Sequence, residues 1–208
     1  MAYRCVATSV AGFVQQLTVG YVAHGYWFYV TGRVPDHKDP AEVDQKLIAQ
    51  YGLDVSKWTR ARQKQTGRAS VQYLRFEHSF VLVATHGQHP FFAAEAKQIR
   101  DLRRQPLYFM GYAIGCRKGR DGNWHDSVRI ERELFRGMKQ RFATIAVHRS
   151  VEEWREEFRR LGFDPYAPVR DQLRILLRAV NRRRQVASLE LVPQHVLRLR
   201  RSVARPFG

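Results

Sequence analysis

His86 and His89, in the stretch ATHGQHPFFAAE, follow an apolar run, and Glu95 lies one or two turns into the segment after Pro90. Imidazoles at the end of a strand can hold a divalent metal, and such a centre could polarise a phosphate for hydrolysis or strand transfer. His86, His89 and Glu95 are therefore the candidate catalytic group, as metal ligands or as general acid and base. The spacing argues the other way. A nicking or transposase-type site wants two histidines separated by one apolar residue, and His-Gly-Gln-His does not put both rings on one strand face. The same residues would equally serve as a polar turn whose imidazoles cap the next helix or hydrogen-bond locally. No cofactor is expected, save a divalent metal if the nuclease reading holds.

Other chemistries find no support. GYAIGCRKG lacks the glycine spacing of a nucleotide phosphate loop or a dinucleotide fingerprint, and Ser9, Ser70 and Ser79 sit in no nucleophile elbow. Cys5 and Cys116 are too few for a disulfide framework or a four-thiolate zinc site, which points to a reducing, intracellular and cytoplasmic setting. His125 with Asp126 and Glu77 with His78 are adjacent pairs, and neighbours on a strand point to opposite faces. No apolar run is long or clean enough for a membrane span, and no secretory leader is expected.

The charge is more informative. The 208 residues carry 36 Lys and Arg against 19 Asp and Glu, a formal net charge of +17 that exceeds what solubility requires and points to polyanionic partners. Within PVRDQLRILLRAVNRRRQ, Arg170, Arg174, Arg178 and Arg182 recur every four residues, opposite Val169, Leu173, Leu176, Leu177 and Val180. Arg183 and Arg184 extend the run, and Arg198, Arg200 and Arg201 follow. Planar forks of donors suit phosphate oxygens, so this helix is expected to lie along a nucleic-acid backbone; its alternative is a solvated face.

Two further basic segments carry aromatics. KWTRARQKQTG contains Lys57, Trp58, Arg60, Arg62 and Lys64 without an acid, with Arg68 just beyond it. Arg117, Lys118, Arg120 and Trp124 lie at the tip of an expected hairpin, and Arg103 and Arg104 lie in the cluster RDLRR. A base can stack on an exposed ring while Arg or Lys holds its phosphate, and Trp58 and Trp124 are the best placed of the rings.

The elements that must position these residues follow from periodicity and turn chemistry. A helix is expected from Ser9 to His24, stopped at Gly25, then a strand in YWFYVTGRV and a helix entered at Asp39-Pro40 with Val43, Leu47 and Ile48 inward. VQYLRF and FVLVAT form a hairpin, Pro90 opens a helix carrying Phe91, Ala94 and Ile99, and LYFMGYAIGCR pairs with DSVRIE across a turn at Asp121-Gly122. Helices follow over roughly 132–147, 150–161 with Ser150 and Glu153 as a capping box, and 169–187.

The expectation is an α+β fold, with a largely antiparallel sheet of about five strands packed with helices, over residues 1–147. An Arg-rich helical section, 148–208, packs on it as one continuous unit. The functional expectation is a DNA- or RNA-binding protein, such as a replication, mobile-element or defence-associated factor. Two alternatives stay open: a metal-dependent nuclease or strand-transfer enzyme, and a subunit of a larger nucleoprotein complex whose charge RNA neutralises.

Overall fold

The computed structural model describes residues 3–207, apart from the side chain of Lys57, so the contact expected of Lys57 lies outside the described residues. Two compact units share the chain. One comprises the chain up to Pro106, Gly115–Asp126 and the chain from Val203 on; the other comprises Leu107–Ile114 and Ser127–Ser202.

The first unit is built on an antiparallel sheet in the order β2-β3-β1-β4, where β1 is Phe28–Arg33, β2 Val71–Phe76, β3 Ser79–Ala84 and β4 Arg100–Asp101. β2 and β3 are β-branched and aromatic and pair from Val71 opposite Ala84 to Phe76 opposite Ser79. Their tight turn holds Glu77 at φ 51, a conformation usually left to Gly or Asn. Helix α1 (Val10–Gln15) starts where the Ser9 hydroxyl accepts from the Gly12 amide at 3.0 Å. It widens into a π-helix over Gln16–Tyr21 and stops at Gly25, whose φ of 87 only glycine adopts without strain. Helix α2 (Pro40–Gln50) is capped by the Asp39 carboxylate on Ala41 N. Its Leu47 and Ile48 pack against a core of Val30, Tyr51, Leu53, Tyr73, Leu82 and Phe91.

The same face of α2 buries a charge. Asp44 is 6% exposed and grips Arg75 of β2, itself 8% exposed, through Nε to Oδ1 and Nη2 to Oδ2, both 2.7 Å. The Tyr73 hydroxyl donates to the same carboxylate at 2.6 Å, and Arg75 Nη1 donates to the Glu77 carbonyl at 2.6 Å.

The α+β class is as expected, but the described residues form seven strands where about five were expected. LYFMGYAIGCR is not one strand. Met110 at φ 45 and Gly111 at φ 79 make a two-residue hairpin turn that splits it into β5 (Leu107–Phe109) and β6 (Tyr112–Lys118), with β7 at Trp124–Ile130. These three form a second sheet, ordered β5-β6-β7. The other added strand, β4, lies within RDLRR, and the helix opened by Pro90, α4, covers only Pro90–Ala94, leaving Ile99 outside it. The division between units passes through β6 after Ile114 and through β7 after Asp126, so the hairpin tip belongs to the first unit.

The second unit is mainly helical, with α5 (Arg132–Ile145), α6 (Val151–Arg159) and α7 (Ala167–Val186). The capping box forms as expected: Ser150 Oγ accepts from Glu153 N at 3.2 Å, and Glu153 Oε2 accepts from Ser150 N at 2.7 Å. Phe142 of α5 packs edge to face on Trp154 and Phe158 of α6. Val169, Leu173, Leu176, Leu177 and Val180 are all buried, confirming the apolar face of α7. Gln172 extends the β7 edge by bonding both the amide and the carbonyl of Ile130, at 2.8 and 3.0 Å. Among the described residues no helix is long and apolar enough to cross a membrane.

Candidate nucleic-acid interface

The histidine group does not assemble. His89 is the N-cap of α4, its Nδ1 accepting from Phe91 N at 3.1 Å, while Glu95 Oε1 accepts from the Tyr51 hydroxyl at 2.5 Å. His86 has a different neighbour, its ring centroid 6.5 Å from that of Phe28. Among the described residues no group of three or more His, Cys, Asp or Glu side chains is placed to hold a metal ion. The capping role follows from the extended backbone of His89 and the proline that opens the helix.

Burial pushes the His89 pKa below the ordinary imidazole value, against a smaller opposing effect of its hydrogen bond to the Tyr51 backbone. The folded state therefore prefers the neutral ring, and its contribution is complete above the ordinary pKa and lost as pH falls through the depressed one. We expect His89→Ala to cost about 1 kcal/mol in urea unfolding at neutral pH, less in acid. In His86→Ala/His89→Ala, nucleic-acid binding should stay nearly intact. Loss of a metal-dependent cleavage from that folded variant would instead assign these histidines to catalysis.

The arginine stripe is modified in detail. Steps of four residues advance about 40° beyond a full turn, so the four arginines drift around α7 rather than line up. Arg170, half-buried, donates to the Pro165 carbonyl at 3.3 Å, and Arg174 pairs with Asp171 at 2.9 Å. Arg184 is not on the surface: it is 4% exposed and donates to the carbonyls of Ala146, Arg149 and Glu190. It fastens the end of α5 and the chain after α7, and is withdrawn from any phosphate contact. The signal was present, since Arg184 continues the apolar series Leu173, Leu177, Val180 and not the cationic one.

Arg178, Arg182 and Arg183 remain exposed, and with Lys139 of α5 they line a groove together with Ala143, Ile175, Ala179 and Val186. No acid lines this groove. Four other arginines of the unit are opposed, Arg136 by Glu133, Arg141 by Glu157, Arg149 by Glu153 and Arg159 by Glu156, whereas Arg132, Arg155, Arg160, Arg198 and Arg200 are exposed and, among the described residues, without an ion pair. Among the described residues Lys139, Arg178, Arg182 and Arg183 have no ion pair. Arg198 and Arg200 are exposed beside Asp164, and Arg201 covers the Tyr166 ring at 4.5 Å. Burial raises the Asp164 pKa, with Arg201 and Arg198 opposing it.

In the first unit KWTRARQKQ is a helix, α3 (Lys57–Gln65), capped by Ser56. Trp58 is 76% exposed and Arg62 is exposed, whereas Arg60 donates to the Val55 carbonyl and Lys64 sits 4.5 Å over the Tyr26 ring. Arg68 is exposed on the wall of a cleft lined also by Tyr51, Gln63, Gln88 and His89.

The β6-β7 tip exposes Arg117, Lys118, Arg120 and Trp124. Asp121 braces it, accepting from Asn123 and from the His125 ring at 2.9 Å. Those hydrogen bonds, His125 first, hold the Asp121 carboxyl down to about 2. Arg104 is exposed and Arg103 half-buried, its Nη2 2.7 Å from Asp101 Oδ2. The Arg103 guanidinium lies 4.6 Å over Trp27, 5.5 Å from the Phe28 ring and 6.0 Å from Trp124. Trp27 carried no sequence signal, because a tryptophan inside an aromatic run reads as core.

No protein-family model matches the chain. No curated protein sequence matches it either.

Proposed function

We propose that the protein binds nucleic acid through the phosphate backbone. The observation that carries this reading is the groove lined by Lys139, Arg178, Arg182 and Arg183, where four cations converge with no acid among the lining residues, while Arg136, Arg141, Arg149 and Arg159 of the same unit are each opposed by a glutamate. Leaving like charges adjacent and unneutralised raises the energy of the unbound protein, and a polyanion supplying several oxygens relieves it. The exposed cations of α3 and of the β6-β7 tip give the same character to the first unit.

The experiment is a salt titration of binding to a short labelled oligonucleotide. Log K should fall with log[salt] at a slope of several units, each phosphate contact contributing about 0.7 to 0.9. A slope near zero, or no binding at low salt, removes the proposal.

A further inference from the structure

The Arg103 cluster is a better-built site than a basic surface needs. Three backbone segments set it: Leu102 N donates to the Trp27 carbonyl at 2.8 Å, and Cys116 N donates to the Leu102 carbonyl at 3.0 Å. Strand β1, the 100–103 segment and β6 thus run side by side, with Leu102 buried between them. Arg103 leaves this ladder and is clamped by Asp101, which takes both Nε and Nη2. Among the described residues Nη1 has no hydrogen-bond partner.

The clamp fixes one cation against Trp27 while Trp124, 38% exposed, flanks it from the hairpin tip. The surface continues from Phe28, whose ring meets that of His86, itself exposed. Arg104, next to Arg103 in sequence, and Arg117, Lys118 and Arg120, on the same hairpin tip as Trp124, are all exposed. Two of the nearby carboxylates are already engaged, Asp101 by Arg103 and Asp121 by His125, leaving Asp126.

Charge alone would suit any phosphate. An ordered, part-exposed indole beside an immobilised guanidinium suits something more: a flat ring on the indole with an anionic group within reach of Arg103 Nη1 and the tip cations. In a duplex the ring faces of the bases are covered by their neighbours, and only unpaired bases present them. Resting on the phosphate-binding reading above, we propose that the Trp27, Arg103 and Trp124 cluster is a stacking platform for single-stranded nucleic acid, with Trp124 contacting a base and Arg103 and the β6-β7 tip holding the adjacent phosphates.

The test compares wild type, Trp124→Ala and Trp124→Phe, each checked for folding by thermal unfolding. The probes are fluorescent oligothymidylate, oligouridylate and a duplex of matching length, at one moderate salt concentration. Trp124→Ala should weaken binding of whichever single strand the wild type binds by about five- to a hundredfold, with the duplex changed less than about twofold. The salt slope should stay unchanged because no charge is removed. Trp124→Phe, which keeps a ring, should recover most of the affinity. The two single strands separate a DNA from an RNA ligand. Equal losses on strand and duplex, or no loss on the strand, overturn the platform. A wild type that binds duplex but neither single strand overturns it while leaving the phosphate reading standing, and one that binds no probe overturns both.

Discussion

Truncating Asp44 to alanine should destabilise the fold by about 3–5 kcal/mol, because it strands Arg75 in a site from which water is excluded. The pair is almost fully buried, and its geometry is bidentate. Removing the carboxylate also takes the acceptor from the Tyr73 hydroxyl, whose pKa is raised by burial first and then by its bond to Asp44. Cys5 sits in the same network: burial, reinforced by the Asp44 carboxylate, pushes its thiol up to about 11, so it stays protonated and unreactive near neutral pH. Two buried polar groups and one charge would thus lose their partner at once. Urea unfolding of Asp44→Ala measures the cost, and a loss under about 1 kcal/mol would show that water or relaxation replaces the carboxylate. The double variant Asp44→Leu/Arg75→Met should recover much of the loss, since replacing both members of a buried pair by apolar groups is often near neutral.

That network marks where the sequence stops being legible. Two apolar, β-branched runs a few residues apart were enough for the β2-β3 hairpin, and capping residues for α2 behind Asp39-Pro40 and for the Ser150 capping box, because each depends on residues within a few positions of one another. The placement of Asp44 depends on a residue 31 positions away, and in sequence it looks like any surface acid. A hint existed, since Asp44 precedes Leu47 and Ile48 by three and four residues and so shares their face. Arg184 has the same signature on the apolar series of α7. Charged residues in phase with a core stripe read as buried, and the plain charge count hides them. The Met110-Gly111 turn failed for another reason: Met is a rare occupant of a positive φ, so the local chemistry pointed to an unbroken strand. The candidate site was legible as a set of cations but not as a constellation. Nothing near Trp27 in sequence announces Arg103, and the contact arises only when β4 pairs with β1.

Replacing Arg178, Arg182 and Arg183 together by Gln should reduce affinity for a short oligonucleotide by about tenfold or more at moderate salt and lower the salt slope by about two units. Glutamine keeps helix propensity and part of each stem's packing, so thermal stability should change little. The choice of residues matters. Arg174 is left in place because Asp171 already opposes it, and Arg184 because its three carbonyl contacts make it part of the fold. The matching control is Arg155→Gln/Arg159→Gln on α6, where Glu156 pairs with Arg159 and Glu152 lies nearby in sequence. Removing cations that have acidic neighbours should move the slope by less than half as much as the stripe variant. Both variants remove charge from exposed helix positions, so a non-specific effect of net charge would lower the two in proportion to the charges removed. A selective loss in the α7 variant requires that these arginines meet phosphate directly. Proportional loss would reduce the groove between α5 and α7 to a solvated basic face and move the phosphate contacts to α3 and the β6-β7 tip.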